Sequence, residues 1–242
     1  MIRQKDKYKI ISNERFYLTY HKYWNRILLE RTSGTRTSLI LDCGCGIATT
    51  CKLLAEDHDS VFGFDLRFDA LKSAPGENNN IKIITSDAHA IGFKDESFDI
   101  VICKGTLHHL AEPHKAIKEI YRILKKEGTL LISEPCRDNF IWRNIGLIYT
   151  KYSKHFDSRH RLFYAGELME MLSQNGFKIQ KTRYLGIIAF PLCALAYLFP
   201  VMKFIPFNDY VTRVLIKIDE KIIRALFIKK FHWHIIIRSQ KS

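Results

Sequence analysis

The residues able to do chemistry are concentrated between positions 42 and 110, where acids and glycines recur at the ends of apolar runs. The first group reads Asp42-Cys43-Gly44-Cys45-Gly46-Ile47-Ala48. Glycines two apart let a ligand lie against bare backbone, where a Cβ would collide with it. The acid ahead of them narrows the choice of ligand. A pyrophosphate held on backbone N–H groups is repelled by a carboxylate at Asp42, whereas an ammonium group is drawn to it. Thr49 stands in the place of the third glycine of G-x-G-x-x-G, which further disfavours a dinucleotide.

Three more groups follow the same rhythm. Asp65, before Leu66, ends a second apolar run about 20 residues beyond the glycines, a position from which a carboxylate bonds both ribose hydroxyls. Helix capping is the competing use of this residue. Asp87 and Ala88 end a third run; the carboxylate can accept from an adenine amino group and the Ala88 N–H can donate to the adjacent ring nitrogen. The fourth group is Lys104-Gly105-Thr106-Leu107-His108-His109-Leu110. His108 and His109 are the candidate general bases, since imidazole titrates near neutrality; packing on a ligand or a helix is the alternative. Glu134, after a fifth run, is placed to orient a substrate. Cys136 reads as a buried thiol rather than a nucleophile. Cys43, Cys45 and Cys51 lack a second ligand cluster, so no metal site is expected.

These groups need a scaffold that brings strand ends together. Leu39–Leu41, Val61–Phe64, Ile81–Ile84, Phe98–Cys103 and Thr129–Ser133 read as short strands. Helical patterns lie between them at Thr49–Glu56, Phe68–Ser73 and Pro113–Leu124. Alternation of this kind predicts a parallel sheet with helices on both faces, with ligands at the carboxyl ends of the strands. Ser12 and Asn13 are placed to cap a helix running to about Arg31, with Tyr17, Tyr20, Trp24, Ile27 and Leu28 on one face. Tyr17 and Tyr20 are the aromatics placed to close the site. Pro75-Gly76 and Asn78–Asn80 mark a turn. A helix over 165–176, a sixth strand Phe177–Leu185 and a seventh, Trp233–Arg238, complete the pattern.

As a set, Asp42–Ala48, Val61–Asp65, Thr85–Ala88 and Phe98–Leu110 resemble the successive motifs of class I S-adenosylmethionine-dependent methyltransferases. The similarity is greatest to the small-molecule and lipid methyltransferases of the ubiquinone and menaquinone biosynthesis type. Glu119–Leu130 resembles that group's helix, basic turn and fifth strand, and the likeness covers about residues 35–185. It implies a Rossmann-like α/β fold whose seven-stranded sheet is mostly parallel with the last strand antiparallel. It also implies S-adenosyl-L-methionine as cofactor, held by Asp42, Cys43, Gly44, Gly46, Asp65, Leu66, Asp87, Ala88, Lys104 and His109. Two residues depart from the pattern: Ala48 stands where the family often has Gly, and Lys104 where it often has Ser or Asn. Lys104 would bring a cation near a sulfonium unless its side chain turns away.

The remainder of the chain is less standard. Residues 184–202 contain no charge, but Pro191 and Pro200 break the run, and a single crossing would strand the seventh strand on the wrong side of a membrane. A shallow insertion, or a lid over a lipophilic substrate, fits better. From Asn208 to Lys230, an apolar stripe of Val211, Val214, Leu215, Ile218, Ile222 and Leu226 carries on to Lys229, with Lys217, Lys221 and Arg224 beside it. Packing on the domain competes here with contact to an anionic membrane surface. One methyltransferase domain is expected over 1–242: an N-terminal helical segment (1–34), a cofactor core (35–185), an apolar helical insertion before the last strand (186–230), and the last strand with its tail (231–242).

The net charge of +13 suits nucleic acid, an anionic membrane or an acidic substrate, and also a merely basic surface. Scattered cysteines and a charged N-terminus without an apolar core point to the cytoplasm, with attachment to the inner face of the membrane left open. The expected function is methyl transfer to a small or lipophilic acceptor, oxygen preferred over carbon. The rivals are a tRNA or rRNA methyltransferase, supported by the charge, and a non-catalytic, membrane-associated protein that binds the same cofactor.

Overall fold

The computed structural model describes residues 14–29, 35–72, 79–139, 162–194, 200–226 and 232–242. Its centre is a seven-stranded sheet in the order β3-β2-β1-β4-β5-β7-β6. The strands are β1 (Ile40–Cys43), β2 (Val61–Asp65), β3 (Ile81–Thr85), β4 (Phe98–Lys104), β5 (Leu124–Pro135), β6 (Phe177–Leu185) and β7 (His234–Lys241). Strands β1 to β5 run parallel, and β7 lies antiparallel between β5 and β6. This is the Rossmann-like sheet that the strand-and-helix alternation called for. The order reverses between β1 and β4, so a crevice opens at their carboxyl ends, where Asp42 and Lys104 sit.

Period-two alternation gives the sheet two cores. Ile40, Val61, Ile100, Ile102, Leu131 and Ile236 face one side, beneath helices α1 (Arg15–Leu29) and α2 (Thr49–Leu54). Leu41, Phe64, Val101, Cys103, Leu130 and Ile237 face the other, against α4 (Pro113–Ile123) and α5 (Ala165–Gln174); the short α3 is Phe68–Leu71. The apolar insertion belongs largely to the first core. Ala189, Phe190, Cys193 and Met202 are buried with Tyr20 and Trp24, so this part enlarges the domain. Helix α6 (Asn208–Leu226) closes the layer over α1. The buried Asp219 accepts the N–H groups of Ile187, Ile188 and Ala189 at 2.9–3.1 Å, which pins α6 to the loop after β6.

Several boundaries differ from expectation for identifiable reasons. Strand β5 begins at Leu124 rather than Thr129, because Glu127 takes a left-handed turn (φ 60°) that the pairing absorbs. Strand β7 runs past Arg238 to Lys241: the polar Ser239 is buried, and Lys241 Nζ donates to the Leu124 carbonyl at 2.7 Å. The α6 stripe is divided. Val211, Leu215 and Ile216 pack inward, whereas Val214 and Ile218 are exposed. Helix α1 is described to Leu29, and the caps Ser12 and Asn13, the Pro75-Gly76 turn and Lys229 lie outside the described residues.

Candidate active site

The glycine loop after β1 is shaped by its neighbours. Gly44 has φ 74°, and a Cβ there would lie 2.4 Å from Thr106 Oγ1, whose hydroxyl donates to the Cys43 carbonyl at 2.9 Å. Gly44 is therefore what lets the β1 and β4 loops touch. Ala48, just before α2, has φ 58°, a left-handed conformation that costs a residue with a Cβ about 1–2 kcal/mol. That geometry accounts for the glycine commonly found there in the group it resembles. Asp65 ties the loop to β2: its Oδ2 accepts the Gly46 N–H at 2.9 Å and its Oδ1 the Arg67 N–H at 2.9 Å. The Arg67 side chain lies at 3.3 Å from the same carboxylate but is mostly exposed. An ionised carboxylate has about four acceptor positions, so displacing that guanidinium frees room for a pair of hydroxyls.

Asp42 is buried in β1 and forms no ion pair among the described residues. Burial raises its pKa to about 6 against the opposing pull of Lys104, and the Cys51 thiol donates to it at 3.5 Å. A buried acid without a cation is primed for one brought by a ligand. Asp87 stands at the end of β3, its Oδ1 taken by the backbone N–H of His89 at 2.9 Å and its imidazole at 2.7 Å; these bonds hold its pKa below the usual carboxylate range. The adjoining Ala88 is buried, and Leu66 is 66% exposed beside Asp65.

At the end of β4 the chain builds two polar clusters. In the first, the fully buried Glu134 accepts the N–H groups of Thr106 and Leu107 at 2.8 Å each and holds His108 Nδ1 at 2.6 Å. Glu134 thus orients an imidazole and fixes the turn Leu107–His109, a role the sequence had assigned to substrate contact. His109 stacks on His108 with ring centroids 4.0 Å apart and is itself exposed. In the second, Lys104 turns its ammonium toward α1. It donates to Asn25 Oδ1 at 2.8 Å, meets His21 Nδ1 at 3.2 Å and lies 4.3 Å from the Trp24 ring centroid. Burial pushes the Lys104 pKa down to about 7, with Asp42 opposing. Burial, and next the charge of Lys104, also lower the His21 pKa well below its usual value.

His21, Asn25 and His234 escaped the sequence reading. They converge from α1 and β7, and Asn25 lies 79 residues from Lys104 along the chain. The available signal was a polar pair four apart, His21 and Asn25, interrupting the aromatic face of α1. His21 Nε2, Asn25 Nδ2 and His234 Nδ1 are buried without hydrogen-bond partners among the described residues. Tyr17 stacks on His21 at 4.1 Å, whereas Tyr20 belongs to the apolar core against Trp24 and Phe190. Cys136 is buried beside Asp138, and its thiol is pushed up to about 12, an inert thiol rather than a nucleophile.

Residues 41–132 match the family profile described as a methyltransferase domain. Over that stretch the chain is similar to class I S-adenosylmethionine-dependent methyltransferases. A demethylmenaquinone methyltransferase of Renibacterium salmoninarum is 27% identical over 142 residues, 59% of each chain. The ubiquinone/menaquinone biosynthesis C-methyltransferase UbiE of Pectobacterium carotovorum is 26% identical over 159 residues, 62% of each chain. The chain therefore spans about six-tenths of the length of the curated relatives it matches. Among solved structures, an S-adenosylmethionine dependent methyltransferase of Mesorhizobium loti superposes with a TM-score of 0.62 at 18% identity, covering 93% of this chain and 100% of the other. The [4+2]-cyclase SpnF superposes at 0.65 with 18% identity, covering 91% and 80%. Both likenesses speak to the fold, and the cyclase illustrates that the fold does not by itself fix the reaction.

Proposed function

We propose that this methyltransferase moves the methyl group of S-adenosylmethionine to a small or lipophilic acceptor, with oxygen preferred over carbon as the atom methylated. The observation that carries the reading is the Glu134–His108 pair at the carboxyl ends of β4 and β5. A carboxylate bonded to Nδ1 orients the imidazole and favours the tautomer whose lone pair is on Nε2. Such a base is needed when the nucleophile carries a proton, as a phenol or enol does.

The cofactor fits the residues present. Asp42 would take the ammonium of the amino-acid end, and the open side of Gly46 would receive the chain that follows. Asp65 would take the ribose hydroxyls, Asp87 and Ala88 the adenine edge, and Leu66 would border the base. Cys43 contributes backbone, and the loop from Lys104 to His109 borders the reacting end. When bound, the cofactor supplies a methyl group on positive sulfur, which departs as a neutral thioether. His108 takes the acceptor's proton, and the loop held by Glu134 aligns the nucleophile; alignment supplies up to about 7–11 kcal/mol in favourable cases. The unpartnered polar atoms of His21, Asn25 and His234 suit the oxygen functions of an acceptor. Quinone-type acceptors, suggested by the names of the relatives, meet these demands.

The test is incubation of the enzyme with methyl-labelled cofactor and cell extract, followed by separation into organic, RNA and protein fractions. Label in the organic fraction, lost in His108→Gln, supports the proposal. Label confined to RNA, which the charge of +13 would favour, overturns the acceptor class. Cofactor binding without any transfer overturns the catalytic reading.

A further inference from the structure

The outward face of α6 and of the turn before it has a composition that packing does not explain. Phe204 and Phe207 are 81% and 82% exposed, and Tyr210 is 62% exposed. Val201, Val214 and Ile218 are exposed as well. On α6 the exposed positions Tyr210, Arg213, Val214, Lys217, Ile218 and Lys221 recur at spacings of three and four, which places them on one stripe opposite the buried Thr212, Ile216 and Asp219. Apolar and basic residues thus alternate along a single solvent-facing line. Phe207 also holds a left-handed backbone (φ 52°), an unfavourable conformation for a bulky residue, while its ring packs on little.

The charges on this face have one sign in excess. Lys203 lies 3.9 Å from Glu14, and Arg213 pairs with Asp209 at 3.0 Å. Lys217 and Lys221 form no ion pair among the described residues. The remaining acids of the helix turn elsewhere: Asp219 is buried on backbone N–H groups, and Glu220 bonds Tyr23 of α1. No helix among the described residues is long and apolar enough to cross a membrane.

We propose that this face, from Val201 to Lys221, docks on an anionic lipid bilayer, with Phe204, Phe207 and Tyr210 inserting among the acyl chains and Lys217 and Lys221 meeting the headgroup charge. Basic residues beside exposed aromatics and aliphatics are the pattern of an interfacial helix. The charge complementarity selects an anionic bilayer over a second copy of this chain, whose identical face carries the same excess of positive charge. Docking there holds α6 at the surface, and α6 packs on α1, which supplies His21, Trp24 and Asn25 to the polar cluster around Lys104. An acceptor dissolved in the bilayer would then lie close to the site without crossing water.

The inference is independent of methyl transfer, because its test needs neither cofactor nor acceptor. The full chain is sedimented with vesicles of phosphatidylcholine alone, or with about one-third phosphatidylglycerol, and checked for fold by circular dichroism. The protein is expected to bind the anionic vesicles and to lose most of that binding in high salt. Lys217→Glu with Lys221→Glu should weaken it at least about twentyfold, since each cation near an anionic surface contributes about fivefold. Phe204→Ser with Phe207→Asn should weaken binding about tenfold or more while leaving the fold intact, Asn tolerating the left-handed position. Wild-type protein remaining in the supernatant with anionic vesicles overturns the proposal, as does unchanged binding by folded variants. A dimer in sedimentation velocity that the phenylalanine substitutions dissolve, without vesicle binding, assigns the face to self-association instead.

Discussion

The region assigned to the cofactor and the region assigned to the acceptor are built on opposite principles. On the cofactor side, acids are engaged by the chain's own backbone: Asp65 by Gly46 and Arg67, Asp87 by His89. The loops are fixed before anything binds. On the acceptor side, His21, Asn25 and His234 keep buried polar atoms unpaired around Lys104. Native interiors leave few such groups, each costing about 1–3 kcal/mol, so that region keeps a debt that a bound molecule can relieve. One side is preorganised by internal bonds, and the other is held ready by their absence. Glu134 belongs to the first kind although it serves the second, because it fixes the loop and orients His108 with the same carboxylate.

Breaking the preorganised side should have the largest effect. Glu134→Ala strands two buried N–H groups and releases His108, and should lower the unfolding free energy by about 3–5 kcal/mol in urea titrations. Glu134→Gln keeps an acceptor for those N–H groups but cannot accept from Nδ1. It should fold normally and lose about 100-fold or more in turnover. If Glu134→Gln turned over as fast as wild type, the carboxylate would serve structure only. On the acceptor side the sign reverses. Lys104→Met removes a part-buried cation with no ionic partner, together with its bond to Asn25, and should on balance stabilise the free protein by about 1 kcal/mol, while impairing acceptor turnover. A Lys104→Met protein less stable than wild type would contradict the idea that this region is held under electrostatic strain.

The pH dependence sharpens the same contrast through Asp42. Its folded pKa is raised to about 6 from 3.8, so the folded state favours the protonated acid. The stability linked to this group is complete below the unfolded value and is lost as pH rises through about 6. Wild type should therefore gain on Asp42→Asn as pH falls from 7 to 4, in urea midpoints measured in the absence of cofactor. The smallest expected change is at Ala48. Glycine relieves its left-handed strain, and Ala48→Gly should raise stability by about 1 kcal/mol or less, seen as a small rise in Tm.

How much of this could be read in the sequence depends on how local each feature is. The glycine loop and the acids closing β1, β2 and β3 stand within a few residues of the strands that position them, so type and spacing carried the meaning. The departures at Ala48 and Lys104 were visible too, but their resolution required coordinates: a φ of 58° for one, a partner 79 residues away for the other. The His21, Asn25 and His234 cluster was hidden because its members come together only when α1 crosses the ends of β4 and β7. Periodicity found α6 but not its division, since one wide apolar stripe faces both α1 and solvent. The end of β7 was missed because Ser239 and Lys241 are polar residues buried by their bonds rather than by hydrophobicity.

The central claim is that a buried carboxylate beside a glycine turn, open at Gly46, selects a ligand with an ammonium group over one with a diphosphate. Isothermal titration of the protein and of Asp42→Asn with S-adenosylhomocysteine and with a pyridine dinucleotide tests it. The account predicts that the nucleoside binds wild type, that its affinity falls about tenfold or more in Asp42→Asn and also as pH drops below about 6, and that the dinucleotide does not bind. Uptake of the dinucleotide by wild type, with none of S-adenosylhomocysteine, would contradict it.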